Sequence, residues 1–195
     1  MDNWIIFDVD DVLCNFKESL YRSFKNIGKD VHWSQWTKYA SLELYGLKNE
    51  QELHYHMAAH NVLENSKVED GVSEFLAELK NAGFHIGLLT ARAWHKNGKT
   101  ITENFVNENR LCVDKIVISG LHTDKKSEHI DKFQGKITAY VDDSIHHIED
   151  FINKGIAGSY LMDRPWNQFS DLPRINDLNH FRGLVIPQSK NKIRP

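Results

Sequence analysis

The sequence is poor in cysteine, lacks long apolar runs and carries little net charge. Its two cysteines, Cys14 and Cys112, form neither a disulfide framework nor a metal-binding pattern, which is typical of a reducing compartment. No apolar stretch approaches the roughly 18–20 residues of a membrane span, and the first apolar run begins at Trp4, which leaves no room for a removable leader. The formal charge of −3 favours neither nucleic acid nor a membrane as partner. We therefore expect a cytoplasmic protein.

The apolar residues that are present occur in short runs. The 195 residues, 41% of them hydrophobic, are enough for one core and a modest insertion. Five runs separated by helical patterns predict strands: Trp4–Val9, Phe84–Thr90, Lys115–Ser119, Ile137–Val141 and Ser159–Met162. Such alternation predicts parallel pairing with right-handed crossovers. We predict an α/β fold with a Rossmann-like parallel sheet flanked by helices, formed by residues 1–14 and 70–186.

Residues 15–69 carry no convincing strand pattern. Helical spacing begins at Phe16, and further helices are predicted over Ser34–Tyr45 and Asn49–Leu63. We therefore predict a small helical cap inserted after the first strand. Residues 187–195 are polar and basic, a composition that predicts a disordered tail.

Carboxylates follow two of the predicted strands. Asp8, Asp10 and Asp11 end the first apolar run, and Asp142 and Asp143 end the fourth. Alternate residues of a strand point the same way, so Asp8 and Asp10 can both reach a ligand beyond its carboxyl end. Ligands of open parallel α/β sheets bind at that edge. Two acidic strand ends therefore predict a site for a divalent cation and a phosphate.

Phosphoryl transfer to a carboxylate gives these residues a chemical role. One aspartate must attack phosphorus, and a second group must protonate the leaving oxygen and later activate water. Asp8 and Asp10 have a suitable spacing. Clustered carboxylates would repel a phosphate dianion, so the site needs positive charge. Mg²⁺ suits Asp8 and Asp143, and a lysine with backbone amides would neutralise the other phosphoryl oxygens.

The chain resembles the haloacid dehalogenase-like hydrolase superfamily through four motifs in order: Asp8-Val9-Asp10-Asp11-Val12, Leu88-Leu89-Thr90-Ala91-Arg92, Lys126 and Val141-Asp142-Asp143-Ser144. The resemblance implies that Asp8 is the nucleophile and Asp10 the acid and base. It also implies that Thr90 and Lys126 serve catalysis at the phosphoryl group. Phosphatases of this superfamily have an aspartate at the position of Asp10 and dehalogenases lack it, so the resemblance implies phosphate ester hydrolysis.

The same resemblance implies a Mg²⁺ site formed by Asp8, Asp10, Asp143 and Asp142. It places Asp143 in direct contact with the metal, whereas Asp142 acts through water or a hydrogen bond. Two side-chain assignments stay open. Lys125 is the alternative to Lys126, and Arg92 either binds the substrate phosphate or is a solvated loop residue.

Within the superfamily, the chain most resembles the 5'(3')-deoxyribonucleotidase-like group, through the helical insertion, Leu89-Thr90-Ala91-Arg92 and the stretch 160–167. This implies a nucleoside monophosphate as substrate. Phe16, Trp33 and Trp36 are then candidates for stacking on the base. A sugar phosphate, a nucleic-acid 3'-phosphate end and a non-catalytic binding module are the alternatives. The sequence does not predict an oligomeric state.

Overall fold

The computed structural model describes residues 2–38, 42–120 and 125–186. All paired strands run parallel in one six-stranded sheet: Asn3–Phe7 (β1), His85–Thr90 (β2), Lys115–Ile118 (β3), Lys136–Asp142 (β4), Ser159–Met162 (β5) and Arg174–Ile175 (β6). Their order is β3-β2-β1-β4-β5-β6. The predicted parallel α/β fold is confirmed, and β6 is an addition. The predicted disordered tail, 187–195, lies outside the described residues.

Seven α-helices occur among the described residues: Phe16–Lys25 (α1), Glu50–Ala59 (α2), Val62–Asn65 (α3), Val72–Asn81 (α4), Gly98–Glu108 (α5), Ile145–Asn153 (α6) and Leu178–Val185 (α7). None of the helices in the described part of the chain is long and apolar enough to cross a membrane. Helix α7, which no sequence pattern predicted, packs against α4.

Both faces of the sheet are covered, which explains why β1 is apolar throughout. Ile5 and Phe7 belong to the apolar cluster that contains residues of α4, α5 and α7. Trp4 and Ile6 point to the opposite face and join a second cluster that contains Ile148 of α6. A central parallel strand buried on both sides needs a continuous apolar run. Such a run can end in buried carboxylates only where partners compensate their charge.

Residues 15–69 are helical but differ in detail from the prediction. The single helix predicted over Ser34–Tyr45 is wrong: two 3-10 turns, Trp33–Gln35 and Leu42–Tyr45, flank residues 39–41, which lie outside the described residues. The helix predicted over Asn49–Leu63 is divided into α2 and α3, because Asn61 between them takes a left-handed φ of 51°.

This insertion, as we call residues 15–69, has its own aromatic packing. The ring of Phe24 lies between the rings of Tyr45 and His56, with centroid distances of 3.9 Å to each. Ser23 Oγ lies 2.8 Å from His56 Nε2. Several aromatic residues of the insertion are therefore occupied by packing. Its status as a separate cap unit stays a prediction.

Candidate active site

The two acidic strand ends meet at the centre of the sheet. β1 and β4 are neighbours, and the backbone N–H of Asp8 extends their pairing by donating to the Val141 carbonyl at 2.9 Å. The strand order reverses between these two strands, which is where open α/β sheets bind ligands. Carboxylate oxygens of Asp8, Asp142 and Asp143, all buried, lie within 4.8 Å of one another. The geometry therefore joins the two motifs in one site.

Lys126 supplies positive charge to this carboxylate group. It begins the 3-10 helix Lys126–Lys132 and is only 1% exposed. Its ammonium lies 2.9 Å from Asp8 Oδ1 and 2.8 Å from Asp142 Oδ2. Lys125, the alternative left open by the sequence, instead has a half-exposed side chain paired with Asp150 at 3.4 Å. The structure thus brings Lys126, and not Lys125, to the carboxylates.

Asp142 is held by donors on both of its oxygens. Lys126, the Tyr140 hydroxyl and His147 Nδ1 all contact Oδ2, and the Ser144 backbone N–H donates to Oδ1 at 2.8 Å. Burial alone would raise the pKa of Asp142, but Lys126 and His147 outweigh it and hold this pKa well below its usual range. The carboxylate is therefore an ionised anchor for Lys126, with little capacity left for a metal.

The pKa values of Asp143 and Asp8 are raised, in contrast to that of Asp142. Burial, followed by the charges of Asp142, Asp11 and Asp8, raises the pKa of Asp143 well above its ordinary value. Burial also raises the pKa of Asp8 from 3.8 to about 6, although Lys126 opposes the change. Trp166 Nε1 donates to Asp143 Oδ2 at 2.9 Å and orients this carboxylate.

These carboxylates fit a hard divalent cation. One lysine does not balance three neighbouring buried carboxylates. Burial is the main cause of the raised pKa values of Asp8 and Asp143, and the neighbouring carboxylates add to it. Mg²⁺ is commonly held by one or two carboxylates with waters and phosphate oxygens as its other ligands. Asp8 and Asp143 are the residues that would hold it. The Asp10 carboxylate, predicted to belong to this site, lies outside the three-carboxylate group found among the described residues.

Asp10 is instead paired with Arg92. The Arg92 guanidinium donates from Nε to Asp10 Oδ2 at 2.9 Å and from Nη2 to Oδ1 at 2.6 Å. Arg92 is only 1% exposed, so it is not a solvated loop residue. Asp10 lines the cavity described next, whereas Arg92 does not. The structure therefore does not bring Arg92 to a position where it would contact a substrate phosphate.

Thr90 ends β2 and lines the same cavity as Asp8 and Lys126. Its hydroxyl oxygen is buried and has no hydrogen-bond partner among the described residues. A buried polar group normally has a partner, because leaving it unpaired costs about 1–3 kcal/mol. An oxygen atom of a bound phosphoryl group would provide one. This is the position that the second motif predicts for a phosphate-binding hydroxyl.

The cavity above the strand ends has a volume of about 590 Å³. Residues of the insertion, including Phe16, Leu42, Leu53 and Met57, line it opposite the residues of the strand ends. Of the three aromatic residues predicted to stack on a base, only Phe16 is among its lining residues. The insertion and the carboxyl ends of the strands thus enclose one small-molecule-sized site.

Trp33 and Trp36 are occupied elsewhere. Trp33 Nε1 donates to Glu18 at 3.1 Å, and the Lys17 ammonium lies 5.3 Å from the centre of a Trp33 ring. Trp36 is 1% exposed and donates to the Tyr45 hydroxyl at 2.9 Å. The structure therefore does not bring either tryptophan to the cavity, because packing of the insertion takes up both side chains.

Other aromatic residues, which were not predicted as site residues, lie in the cavity wall instead. Trp94, Phe169 and Trp166 line the cavity. Trp94 stacks on His54 of the insertion with a centroid distance of 4.8 Å and an interplanar angle of 9°. Trp94 follows Arg92 by two residues and Trp166 lies in the stretch 160–167, so their closeness to the motifs was the available signal. Phe169 follows that stretch by two residues, so the same signal applied to it.

A family of known proteins shares sequence features with most of this chain. A family model described as haloacid dehalogenase-like hydrolase matches residues 5–157. The matched range contains all four motifs and the insertion. No curated protein matches the chain.

Solved structures share the fold at low sequence identity. A predicted phosphatase from Clostridium acetobutylicum is 17% identical, covers 94% of this chain and 99% of its own, and has a TM-score of 0.62. YfnB from Bacillus subtilis, a proposed HAD-hydrolase crystallised with bound magnesium, is 14% identical over 95% and 99% of the two chains, with a TM-score of 0.63. A dehalogenase is 12% identical over 96% and 98%, with a TM-score of 0.64. At these identities the likeness shows the fold alone.

Proposed function

Because the chain belongs to the haloacid dehalogenase-like hydrolase family, we propose that it is a Mg²⁺-dependent phosphomonoesterase acting through an aspartyl-phosphate on Asp8. One observation carries this proposal: Asp8, the buried Lys126 and the unpaired Thr90 hydroxyl line one cavity. Together they provide a nucleophile, a cation and a hydrogen-bond donor, which are what a phosphoryl group requires.

In the first step, a carboxylate oxygen of Asp8 attacks phosphorus and the bond to the ester oxygen breaks. Asp10 enters this step protonated, donates its proton to the departing oxygen and becomes a carboxylate. Lys126 and Thr90 contact the phosphoryl oxygens, and Asp142 holds Lys126 in place through its 2.8 Å contact. Mg²⁺, held by Asp8 and Asp143, would offset negative charge that Lys126 alone does not balance.

In the second step, Asp10 accepts a proton from water while the water oxygen attacks phosphorus. The bond between phosphorus and Asp8 then breaks, which releases inorganic phosphate and restores the Asp8 carboxylate. Asp10 lines the cavity together with Asp8, so both proton transfers occur on the substrate side. An aspartate that serves as acid and then as base favours phosphate ester hydrolysis over dehalogenation, which does not need this residue.

The experiment is metal-dependent hydrolysis of p-nitrophenyl phosphate by the purified protein. We expect turnover with Mg²⁺, loss of turnover with EDTA, and no turnover in Asp8→Asn. Asp131→Asn, at an exposed position that does not line the cavity, is the matched control and should keep wild-type activity. Substantial turnover by Asp8→Asn, or halide release from a 2-haloacid without phosphate release from any ester, would refute the proposed chemistry.

We further propose a nucleoside monophosphate, with deoxyribose as the preferred sugar, as the substrate class. The support is the position of Phe16, Trp94 and Phe169 in the cavity wall. Aromatic side chains stack on bases of any identity, and each stack contributes about 1–3 kcal/mol. A cavity of about 590 Å³ suits a small molecule and does not suit a folded macromolecule. A sugar phosphate would use less of this aromatic wall.

The test of the substrate class uses two tryptophans of different location. Trp94→Leu removes a ring that lines the cavity, and Trp33→Leu makes the same change at a ring that does not. We expect Trp94→Leu to raise the Michaelis constant for nucleoside monophosphates about tenfold or more, with little change for glycerol phosphate. Trp33→Leu should leave the Michaelis constants for nucleoside monophosphates and for glycerol phosphate unchanged.

A screen of nucleoside 5'- and 3'-monophosphates, sugar phosphates and DNA 3'-phosphate ends completes this test. Preference for sugar phosphates, or an equal effect of Trp94→Leu on nucleotide and glycerol phosphate, would contradict the nucleotide assignment. The phosphatase mechanism would remain, because it depends on Asp8 and Lys126 and not on the aromatic wall.

A further inference from the structure

All three nitrogens of the Arg92 guanidinium donate hydrogen bonds within the protein. Nε and Nη2 donate to the two oxygens of Asp10, and Nη1 donates to Thr102 Oγ1 at 3.2 Å. Thr102 is fully buried and donates in turn to the Gly98 carbonyl at 2.7 Å. The guanidinium is therefore fixed from two sides, by Asp10 at one end and by α5 at the other.

The backbone around Arg92 is shaped to permit this arrangement. Arg92 belongs to the 3-10 turn Arg92–Trp94, which lies against the beginning of α5. A Cβ atom at Gly98 would lie 2.0 Å from the Arg92 carbonyl oxygen, a distance at which something must shift. Only a glycine allows α5 to begin this close to the turn. The close approach also brings Thr102, one helical turn later, within reach of the guanidinium.

The two hydrogen bonds from Arg92 restrict rotation of the Asp10 carboxylate but leave it accessible from the cavity. Rotation of the Asp10 carboxylate about its last side-chain bond would break both hydrogen bonds to Arg92. Each carboxylate oxygen has about two acceptor positions. Oδ1 also accepts from Cys14 Sγ at 3.5 Å, so the position left for another partner is on Oδ2. The Asp10 side chain keeps 17% of its surface exposed, against 1% for Arg92. Asp10 therefore faces the cavity while Arg92 lies behind it.

We propose that Arg92 is a positioning residue, supported by Thr102, that fixes the Asp10 carboxylate in the orientation required for both proton transfers. This inference rests on the proposed phosphatase function and replaces substrate binding as the role of Arg92. It predicts that Arg92 acts on turnover only through Asp10. A residue that bound the phosphate would act independently of Asp10 and would change the Michaelis constant.

A double-mutant cycle separates these possibilities. We would measure kcat and the Michaelis constant for p-nitrophenyl phosphate and glycerol phosphate in wild type, Arg92→Met, Asp10→Asn and the double variant. General acid and base catalysis contributes about 10²–10⁴-fold, so we expect Arg92→Met to lower kcat about 100-fold with a nearly unchanged Michaelis constant. In the Asp10→Asn background, Arg92→Met should lower kcat by no more than about threefold, because the two residues act as one unit.

The leaving group provides a readout that a general loss of structure would not change. An aliphatic alkoxide depends more on protonation than p-nitrophenolate does, so Arg92→Met should reduce kcat/KM more for glycerol phosphate than for p-nitrophenyl phosphate. Thr102→Val keeps the ion pair and removes only its outer support. Thr102→Val should also reduce kcat/KM more for glycerol phosphate than for p-nitrophenyl phosphate, but by a smaller factor than Arg92→Met. It serves as the test if Arg92→Met does not fold.

Each result has a defined meaning. Non-additive losses in kcat, together with the dependence on leaving group, support the positioning role. Independent losses from Arg92→Met and Asp10→Asn, or a raised Michaelis constant for both esters in Arg92→Met, overturn it while leaving the phosphatase function intact. A folded wild-type protein that releases phosphate from no ester overturns the proposed function itself, and the positioning role with it.

Discussion

The Asp8→Asn variant is expected to lose phosphatase turnover and, without Mg²⁺, to be more stable than the wild-type protein above about pH 6. Asp8 is 6% exposed, and its burial raises its pKa from 3.8 to about 6. A folded state that binds a proton more tightly than the unfolded chain loses stability as the pH rises through this interval. Asparagine is close in shape to aspartate but does not ionise, so the variant avoids that loss.

The size of the effect follows from the same pKa values. The difference between 3.8 and about 6 corresponds to about 3 kcal/mol once the pH is above the higher value. This difference already includes the attraction of Lys126. The gain in the variant is smaller where the amide NH2 introduced by Asp8→Asn faces the Lys126 ammonium, because two donors then meet. Lys126 still has Asp142 at 2.8 Å. We therefore expect a gain of about 1–3 kcal/mol at pH 7.5 and none at pH 3.5.

Urea unfolding in EDTA and in Mg²⁺, at both pH values, is the assay. Mg²⁺ should stabilise the wild-type protein, because a ligand bound only by the folded state adds to its stability. It should stabilise Asp8→Asn much less, since one of the two proposed ligands is lost. The exposed Asp131→Asn serves as the control. A variant that is less stable than wild type at pH 7.5 in EDTA, or that Mg²⁺ stabilises equally, would show that the reasoning about charge at Asp8 is wrong.

Three further predictions concern other parts of the site and its support. Lys126→Met should abolish turnover and lower the free energy of unfolding by about 3–5 kcal/mol, since it leaves buried carboxylates unpaired; Lys125→Met, at a half-exposed position, should change neither. Trp36→Ala should lower the free energy of unfolding by about 3–5 kcal/mol and leave the Michaelis constant for nucleotides unchanged, because this side chain is packed away from the cavity. Gly98→Ala should lower the free energy of unfolding, measured by thermal unfolding, by about 1–3 kcal/mol, since its Cβ would overlap the Arg92 carbonyl.

Each of these predictions can fail in a distinct way. Equal effects of the two lysine substitutions would mean that Lys126 does not balance the carboxylates. A raised Michaelis constant in Trp36→Ala would place the base nearer to that tryptophan than the structure does. Wild-type stability in Gly98→Ala would mean that α5 shifts at no cost, which would weaken the argument that its start supports Arg92.

The sheet and the positions of its acidic ends could be predicted from the order of residues alone. An apolar run that stops abruptly at Asp8, and another that stops at Asp142, are local patterns, and a parallel sheet brings such ends to one edge. The two-residue strand Arg174–Ile175 could not be predicted in this way, since two residues show no periodicity. The predicted helix over Ser34–Tyr45 failed because burial of Trp36 and Tyr45, which hydrogen-bond to each other, outweighed helical spacing.

The role of each side chain at that edge depended on the folded arrangement. The choice of Lys126 over Lys125 depends on which of two adjacent lysines turns inward: Lys126 pairs with Asp8, whereas Lys125 pairs with Asp150 of α6. Arg92 pairs with Asp10, 82 residues away in the chain, from a turn that α5 approaches closely at Gly98. Such choices depend on residues far apart in the chain, and a sequence pattern describes only neighbours along it.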